Sequence, residues 1–182
     1  MPAESPSTSL YSLGKGILSI AAWTGDVPPT PPLTDMGDCS SFEAEVTEEI
    51  LEHFSSRAGV RTKDKVVTLE TGYTLTFVLD EISVENLKMF LRATQSGNVL
   101  KAATALDLEY SISFVSDNPA GPNETWEFHR VRITPNGPFN LISEEWSTMS
   151  MTGEGLSDVA NNPTSPYFTV TFATTTTTTT TT

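Results

Sequence analysis

The chain has 182 residues, a length typical of one domain with its own hydrophobic core. Only 18% of the residues are charged, yet the formal net charge is −13, which argues against tight binding to nucleic-acid phosphates or to an anionic membrane. The single cysteine, Cys39, excludes an internal disulfide framework, and we expect it to be a small, partly buried apolar residue.

The two ends of the chain have the composition of segments outside a core. Residues 1–13 are rich in Ser and Pro without an apolar period, which predicts an N-terminal arm. They lack the basic head and apolar stretch of a secretory signal, so we expect a protein made and kept in a cytoplasm. Residues 174–182 are all threonine, and a homopolymer has no core to bury, so we expect a disordered tail. Residues 14–173 are then one β-rich domain.

That domain opens with a short apolar segment, residues 16–23, followed by a proline-rich loop. The loop spans residues 24–38 and contains Pro28, Pro29, Pro31 and Pro32. Proline at this density prevents ladder hydrogen bonding and favours an extended path. We therefore predict a stiff connector.

Residues 42–54 fit two structures by spacing alone. Their apolar residues recur every fourth position, as on a helix, and also alternate with acidic or polar residues, as in a strand. The apolar set is Phe42, Val46, Ile50 and Phe54, and the polar set is Glu43, Glu45, Thr47 and Glu49. We favour a strand because the surrounding sequence is β-like.

Strand patterns dominate the rest of the domain. Alternating apolar and polar residues predict half-buried strands over 67–79, with a bulge or bend at Gly72, and over 108–114 and 168–172. The segment 126–133 is strand-like but changes face midway, as a bulge or a twist would allow. The turn at 118–124 predicts a hairpin with 108–114. One helix is predicted over 83–93, capped by Ser83.

Charge is distributed unevenly along the chain. Five glutamates lie between positions 43 and 52, and four of the ten cations follow: Arg57, Arg61, Lys63 and Lys65. A solvated acidic strand leading to a basic hairpin tip is the simplest interpretation. Contact of the tip with nucleic acid lacks interleaved aromatic residues and is opposed by the net charge. A head-to-tail contact between copies of the chain fits better, since such contacts produce rings or filaments.

No pattern of catalytic or ligand-binding residues is visible. His53 and His129 are far apart in sequence and have no metal-site spacing with Cys39 or with carboxylates. The Gly14-Lys15-Gly16 tripeptide does not fit a phosphate-binding loop. We therefore predict no catalytic, cofactor-binding or metal-binding residue, no cofactor, and no enzymatic activity.

Residues 13–91 resemble the tail tube (major tail) proteins of long-tailed bacteriophages through an ordered series of features. These are a glycine-rich first strand with Trp23, the proline loop, GDCSSFEAEVTEE, HFSSRAG, KDKVVTLETGYTLTFVLDEIS and then a short helix. Later, EEWSTMSMTGEGLSD resembles the penultimate strand region of that family. The resemblance covers most of residues 10–160. Unlike in some relatives, no immunoglobulin-like domain is predicted here, and the sequence contains a threonine tract at 174–182.

The resemblance implies a β-sandwich or barrel of two packed antiparallel sheets with one flanking α-helix, as in other phage tubes and the type VI secretion tube protein. Hexameric rings would stack into a tube in the virion tail, assembled in the bacterial cytoplasm with a tape measure protein and a tail terminator. Double-stranded DNA would pass through, and the chain would bind no membrane.

The same resemblance assigns roles to charged residues. The hairpin at 53–66 would reach an adjacent ring, with Arg57, Arg61, Lys63 and Lys65 as contact candidates. The lumen assignment rests on strand parity instead: Glu43, Glu45 and Glu49 alternate on one face, and we expect that face to line the lumen and repel DNA phosphates. The opposite parity would put these residues outside. Two alternatives remain open: a tail terminator or completion protein that forms a single ring, and a monomeric β-sandwich binding module with a ligand pocket.

Overall fold

The computed structural model describes residues 8–57 and 59–173. The first seven residues of the predicted arm and the threonine tail lie outside this part. Within it, strands dominate, and they form two antiparallel sheets beside a single α-helix. The predicted mainly β class with one helix is thus confirmed.

The strands follow one another with one helical interruption. They are β1 (Gly16–Ala22), β2 (Thr34–Asp35), β3 (Cys39–Ser55), β4 (Thr62–Leu79), β5 (Thr94–Ser96), β6 (Val99–Lys101), β7 (Glu109–Ser116), β8 (Glu124–Pro135), β9 (Met149–Gly155) and β10 (Phe168–Phe172). The helix α1 is Val84–Phe90, and a 3-10 turn covers Thr8–Leu10. The strand β2 lies inside the predicted proline-rich loop.

The larger sheet has the order β2-β1-β7-β8-β9-β4-β3, and β10 pairs with the first half of β8. The smaller sheet is the β5–β6 hairpin. The larger sheet curls until β3 faces β7, which makes it barrel-like, and aromatic rings fill the space that it encloses. They are Phe42, Tyr73, Phe77, Phe114, Trp126, Phe128 and Phe168.

The helix begins directly after Ser83, as the sequence predicts, but it ends at Phe90, short of the predicted limit at residue 93. The Ser83 side chain accepts a hydrogen bond from the Asn86 backbone N–H at 3.1 Å, satisfying one of the unpaired N–H groups of the first turn. Met89 and Phe90 are buried against the sheet. Arg92, with φ of 49°, terminates the helix because a left-handed residue cannot continue it.

The face change predicted for 126–133 is a β-bulge. Tyr110 pairs with Val131, but Ile112 pairs with Phe128, so β8 has one residue more than β7 between these pairs. The extra residue lets Phe128 and Val131 both point into the core although their separation is odd. The predicted hairpin between these strands is confirmed as β7–β8.

Two predictions for β4 are wrong: the position of its bulge and the burial of its outer half. Gly72 pairs regularly with Thr47, and the nearest register shift falls beyond Glu49, where Ile50 pairs with Thr68. The shift leaves Leu69 as the extra residue of β4. Tyr73, Leu75, Phe77 and Leu79 are buried as predicted, but Val67 and Leu69 are exposed. Among the described residues, no second layer covers the outer half of β4.

Candidate assembly surface

The strands β3 and β4 form a hairpin that extends well beyond the core. Their inner ends are joined to β9 through β4, from Thr74 to Leu79. Between Glu43 and Thr71, none of the residues that the structure describes is buried. The outer part of the hairpin is therefore a free two-stranded ribbon, the kind of element that is marginally stable in water by itself.

The ribbon exposes apolar side chains on both of its strands. Seven large aliphatic residues have exposed fractions between 43% and 68%. They are Val46, Ile50, Leu51, Val60, Val66, Val67 and Leu69. Clustered exposed apolar residues of this kind mark protein interaction sites. This ribbon is thus the strongest candidate for a contact surface.

The predicted basic residues all lie at the end of the ribbon. The Arg61 guanidinium stacks on the Phe54 ring at 4.1 Å from its centroid, and Lys63 forms an ion pair with Glu52 across the strands. Arg57 and Lys65 form no ion pair within the described part of the chain. The tip therefore keeps positive charge available for a partner.

Two of the predicted lumen residues, Glu43 and Glu45, lie beside the part of β4 that pairs with β9. Glu43 and Glu45 pair with Thr76 and Thr74 of β4, which in turn pair with Thr152 and Glu154 of β9. Because side chains alternate across a strand, this row faces away from buried Phe77 and Leu75. The result is a polar, mainly acidic sheet face.

Glu49 lies farther out, on the ribbon. It stands directly opposite Glu70, and like charges in that position are unfavourable between strands. Neither carboxylate has an ion-pair partner among the described residues. Glu49 thus lies on the same face of the hairpin as Glu43 and Glu45, but on its projecting part, beyond the residues of β4 that pair with β9.

Both ends of the larger sheet are open. The strand β3 pairs only with β4 in the described part of the chain, so its other edge presents unpaired backbone groups along 17 residues. At the opposite end, β2 covers β1 at two positions, Ser19 and Ile20. Long open edges are templates for pairing with another chain.

The structure places the two histidines in different environments. His53 Nδ1 lies 2.6 Å from Asp64 Oδ1 at the exposed ribbon. His129 sits at the bulge of β8, and burial lowers its pKa from the ordinary value. Its Nε2 is buried and has no hydrogen-bond partner among the described residues. Cys39 is partly buried against the core, as predicted, and burial raises its pKa.

Over residues 8–57 and 59–173, no three His, Cys, Asp or Glu side chains converge to hold a metal ion. No helix there has the length and hydrophobicity needed to cross a membrane.

One group of exposed apolar residues is not predicted by the sequence patterns. The loop between β8 and β9 carries Leu141, Ile142 and Trp146, which are among the most exposed large apolar residues described. Periodicity detects helices and strands, and it gives no signal for a loop. The pairing of Trp146 with two adjacent glutamates, Glu144 and Glu145, is the only local clue.

Comparison with known proteins gives one match. A family model described as "Protein of unknown function UCP028589" matches residues 11–111, which include the hairpin, the helix and both open edges. No curated protein matches the chain.

Proposed function

We propose that this chain, which belongs to the family of proteins of unknown function UCP028589, is the tail tube subunit of a long-tailed bacteriophage. It assembles into hexameric rings that stack into the tube of the virion tail. The tube conducts the genome into the host during ejection, and the chain catalyses no reaction. The resemblance of residues 13–91 to tail tube proteins supports this proposal.

The observation that carries the proposal is the projecting β3–β4 ribbon. A ribbon with both faces in water and seven exposed aliphatic side chains gains stability when another surface covers it. Its tip is basic, while the chain as a whole is strongly acidic. A second copy therefore offers a complementary surface, and a contact between unlike patches of identical chains produces a ring when it closes and a filament when it does not.

The open sheet edges support contacts within a ring. Pairing the outer edge of β3 with the edge of β1 on a neighbouring copy would satisfy backbone groups that are otherwise exposed. Repetition around the ring would join the larger sheets into one inner barrel. This arrangement also explains why β2 is only two residues long.

The acidic sheet face supports a passive role toward DNA. Glu43, Glu45 and Glu154 lie on one polar face, with Arg132 opposite Glu154 as the nearest cation in register. A surface of this charge repels the phosphate backbone, so DNA slides without being retained. Glu49 contributes to the ring-to-ring ribbon instead. By the same resemblance, the partners are a tape measure protein and a tail terminator.

Removal of the ribbon tests the proposal. In the variant, an Asn-Gly turn joins Glu48 directly to Thr71, residues that pair in the native hairpin. We expect the thermal midpoint of the core to change little, because no described residue removed is buried. Assembly, followed by sedimentation velocity, should disappear. A truncated variant that still forms tubes would contradict the role of the ribbon.

A matched control alters the turn of a different hairpin. Replacing residues of the β5–β6 turn, Gly97 and Asn98, with a longer Gly-Ser loop alters the second sheet and leaves the ribbon intact. This variant should assemble like the wild type. If the wild-type protein forms single rings that never stack, the tail terminator alternative is favoured instead.

A further inference from the structure

The loop between β8 and β9 presents an apolar tip to solvent. Leu141, Ile142 and Trp146 are 87%, 99% and 95% exposed. Scattered exposed apolar residues are ordinary, but three large ones within six positions form a patch. A tryptophan at this exposure is the residue type most often found at the energetic centre of an interface.

Local contacts hold this tip outward. At its base the Phe139 ring packs against Phe90 of α1, with 5.8 Å between ring centroids. The Ser147 hydroxyl donates to the Asn140 carbonyl at 2.8 Å and closes the neck of the loop. The Glu145 backbone N–H donates to Ser143 Oγ at 3.0 Å. The tip is thus a formed element whose apolar residues cannot reach the core.

The tip is also acidic. Glu144 and Glu145 lie between the apolar residues, and the sequence contains no Lys or Arg after Arg132. A partner must therefore combine apolar side chains with positive charge. The ribbon tip has both properties, because Val60 and Val66 are exposed there beside Arg57 and Lys65, which have no described ion-pair partner.

We infer that the 141–146 loop is the receptor for the β3–β4 ribbon tip of another copy of this chain. The inference rests on the proposed self-assembly and specifies its contact. Leu141 and Ile142 cover aliphatic side chains of the ribbon, and the glutamates pair with its cations. Trp146 offers the aromatic face on which a guanidinium stacks most favourably. Two different patches of one chain meet, so the contact repeats from copy to copy, and it extends along an axis when it does not close into a ring.

Charge exchange tests the contact in the full-length protein. One variant carries Glu144→Lys and Glu145→Lys, and a second carries Arg57→Glu and Lys65→Glu. The critical concentration for assembly, measured by sedimentation velocity, should rise at least about ten-fold in each, equivalent to roughly 1.4 kcal/mol. Combining both pairs restores attraction with reversed signs, so assembly should return to within about three-fold of wild type.

Two further variants control for charge and folding. Asp107→Lys with Asp117→Lys changes net charge equally at exposed positions away from the loop and should assemble normally. Trp146→Ala removes a nearly fully exposed side chain, so the fold should be retained while the critical concentration rises at least about ten-fold. Circular dichroism verifies folding of every variant.

The outcomes separate the two proposals. If the wild type never assembles, the proposed function fails and this contact fails with it. If the wild type assembles and the loop variants assemble equally well, the proposed function stands and the loop is not the receptor. If both charge variants fail and their combination is not rescued, the two patches do not meet each other.

Discussion

The Phe42 ring of β3 lies 5.5 Å from the Phe114 ring of β7, measured between ring centroids. Three strands, β8, β9 and β4, separate β3 from β7 in the sheet. The contact therefore crosses the interior and closes the curled sheet. It also fixes the inner end of β3, from which the ribbon projects.

This closure has a measurable effect on stability. Phe42→Ala removes a half-buried ring that contacts three other rings, and we expect a loss of about 2–3 kcal/mol in the free energy of unfolding. Urea denaturation of the monomer measures it. Val46→Ala, four residues along the same strand and 68% exposed, is the control and should change stability by less than about 0.5 kcal/mol. Equal losses would contradict the interior role of Phe42.

The close approach between Tyr73 and Gly155 predicts that a larger residue at position 155 destabilises the protein. The Tyr73 ring covers Gly155 so tightly that an added Cβ would overlap the ring atoms. Tyr73 is buried and cannot move aside, so Gly155→Ala should destabilise the protein by about 1–3 kcal/mol. Gly14→Ala, where a Cβ meets no other atoms, should leave the thermal midpoint unchanged. An unchanged midpoint for Gly155→Ala would show that the ring is free to shift.

His129 predicts a pH dependence of stability. Burial lowers its pKa, while Asp158 and Glu127 oppose the shift only in part. The unfolded chain therefore takes up the proton first as the pH falls. The stabilisation from His129 is complete above the unfolded pKa, near 6.5, and is lost as the pH falls from there toward the folded pKa.

Urea midpoints at pH 7.5 and pH 5.5 measure this effect. The wild type should lose stability between the two, and His129→Gln should lose less. If His129→Gln and the wild type depend on pH to the same extent, burial of the imidazole does not cause the change.

Much of the fold could be predicted because its strands alternate regularly. The buried set from Tyr73 to Leu79 follows from period two, and α1 follows from Ser83 and its apolar stripe. The same alternation continues through Val67 and Leu69, which are exposed. Sequence pattern records which residues share a face, and it does not record whether a second layer covers that face.

The candidate surface could be predicted only in part, for the same reason. The cations of the ribbon tip lie close together in the sequence, so the sequence alone shows them as a cluster. Glu43 and Glu154 lie on one polar face, but this requires the register of β3, β4 and β9. The exposure of Trp146 depends on a loop neck closed by Ser147 and Asn140, which no periodic pattern encodes.

The lumen assignment predicts a gain of DNA binding on charge reversal. Glu43→Lys with Glu45→Lys should leave assembly intact, since both residues are exposed away from the ribbon tip. Tubes of this variant should retain labelled duplex DNA at low salt and release it at high salt, as expected for phosphate contacts. Asp107→Lys with Asp117→Lys supplies the same charge elsewhere and should retain less. Equal retention by both variants would remove the lumen assignment.

Negative-stain electron microscopy of the purified, concentrated full-length protein tests the central claim most directly. The proposed function predicts uniform hollow tubes, or stacks of rings with six-fold symmetry, whose length grows with protein concentration. Particles that remain monomeric at every concentration, or single rings that never stack, would contradict a tail tube subunit that assembles through its ribbon.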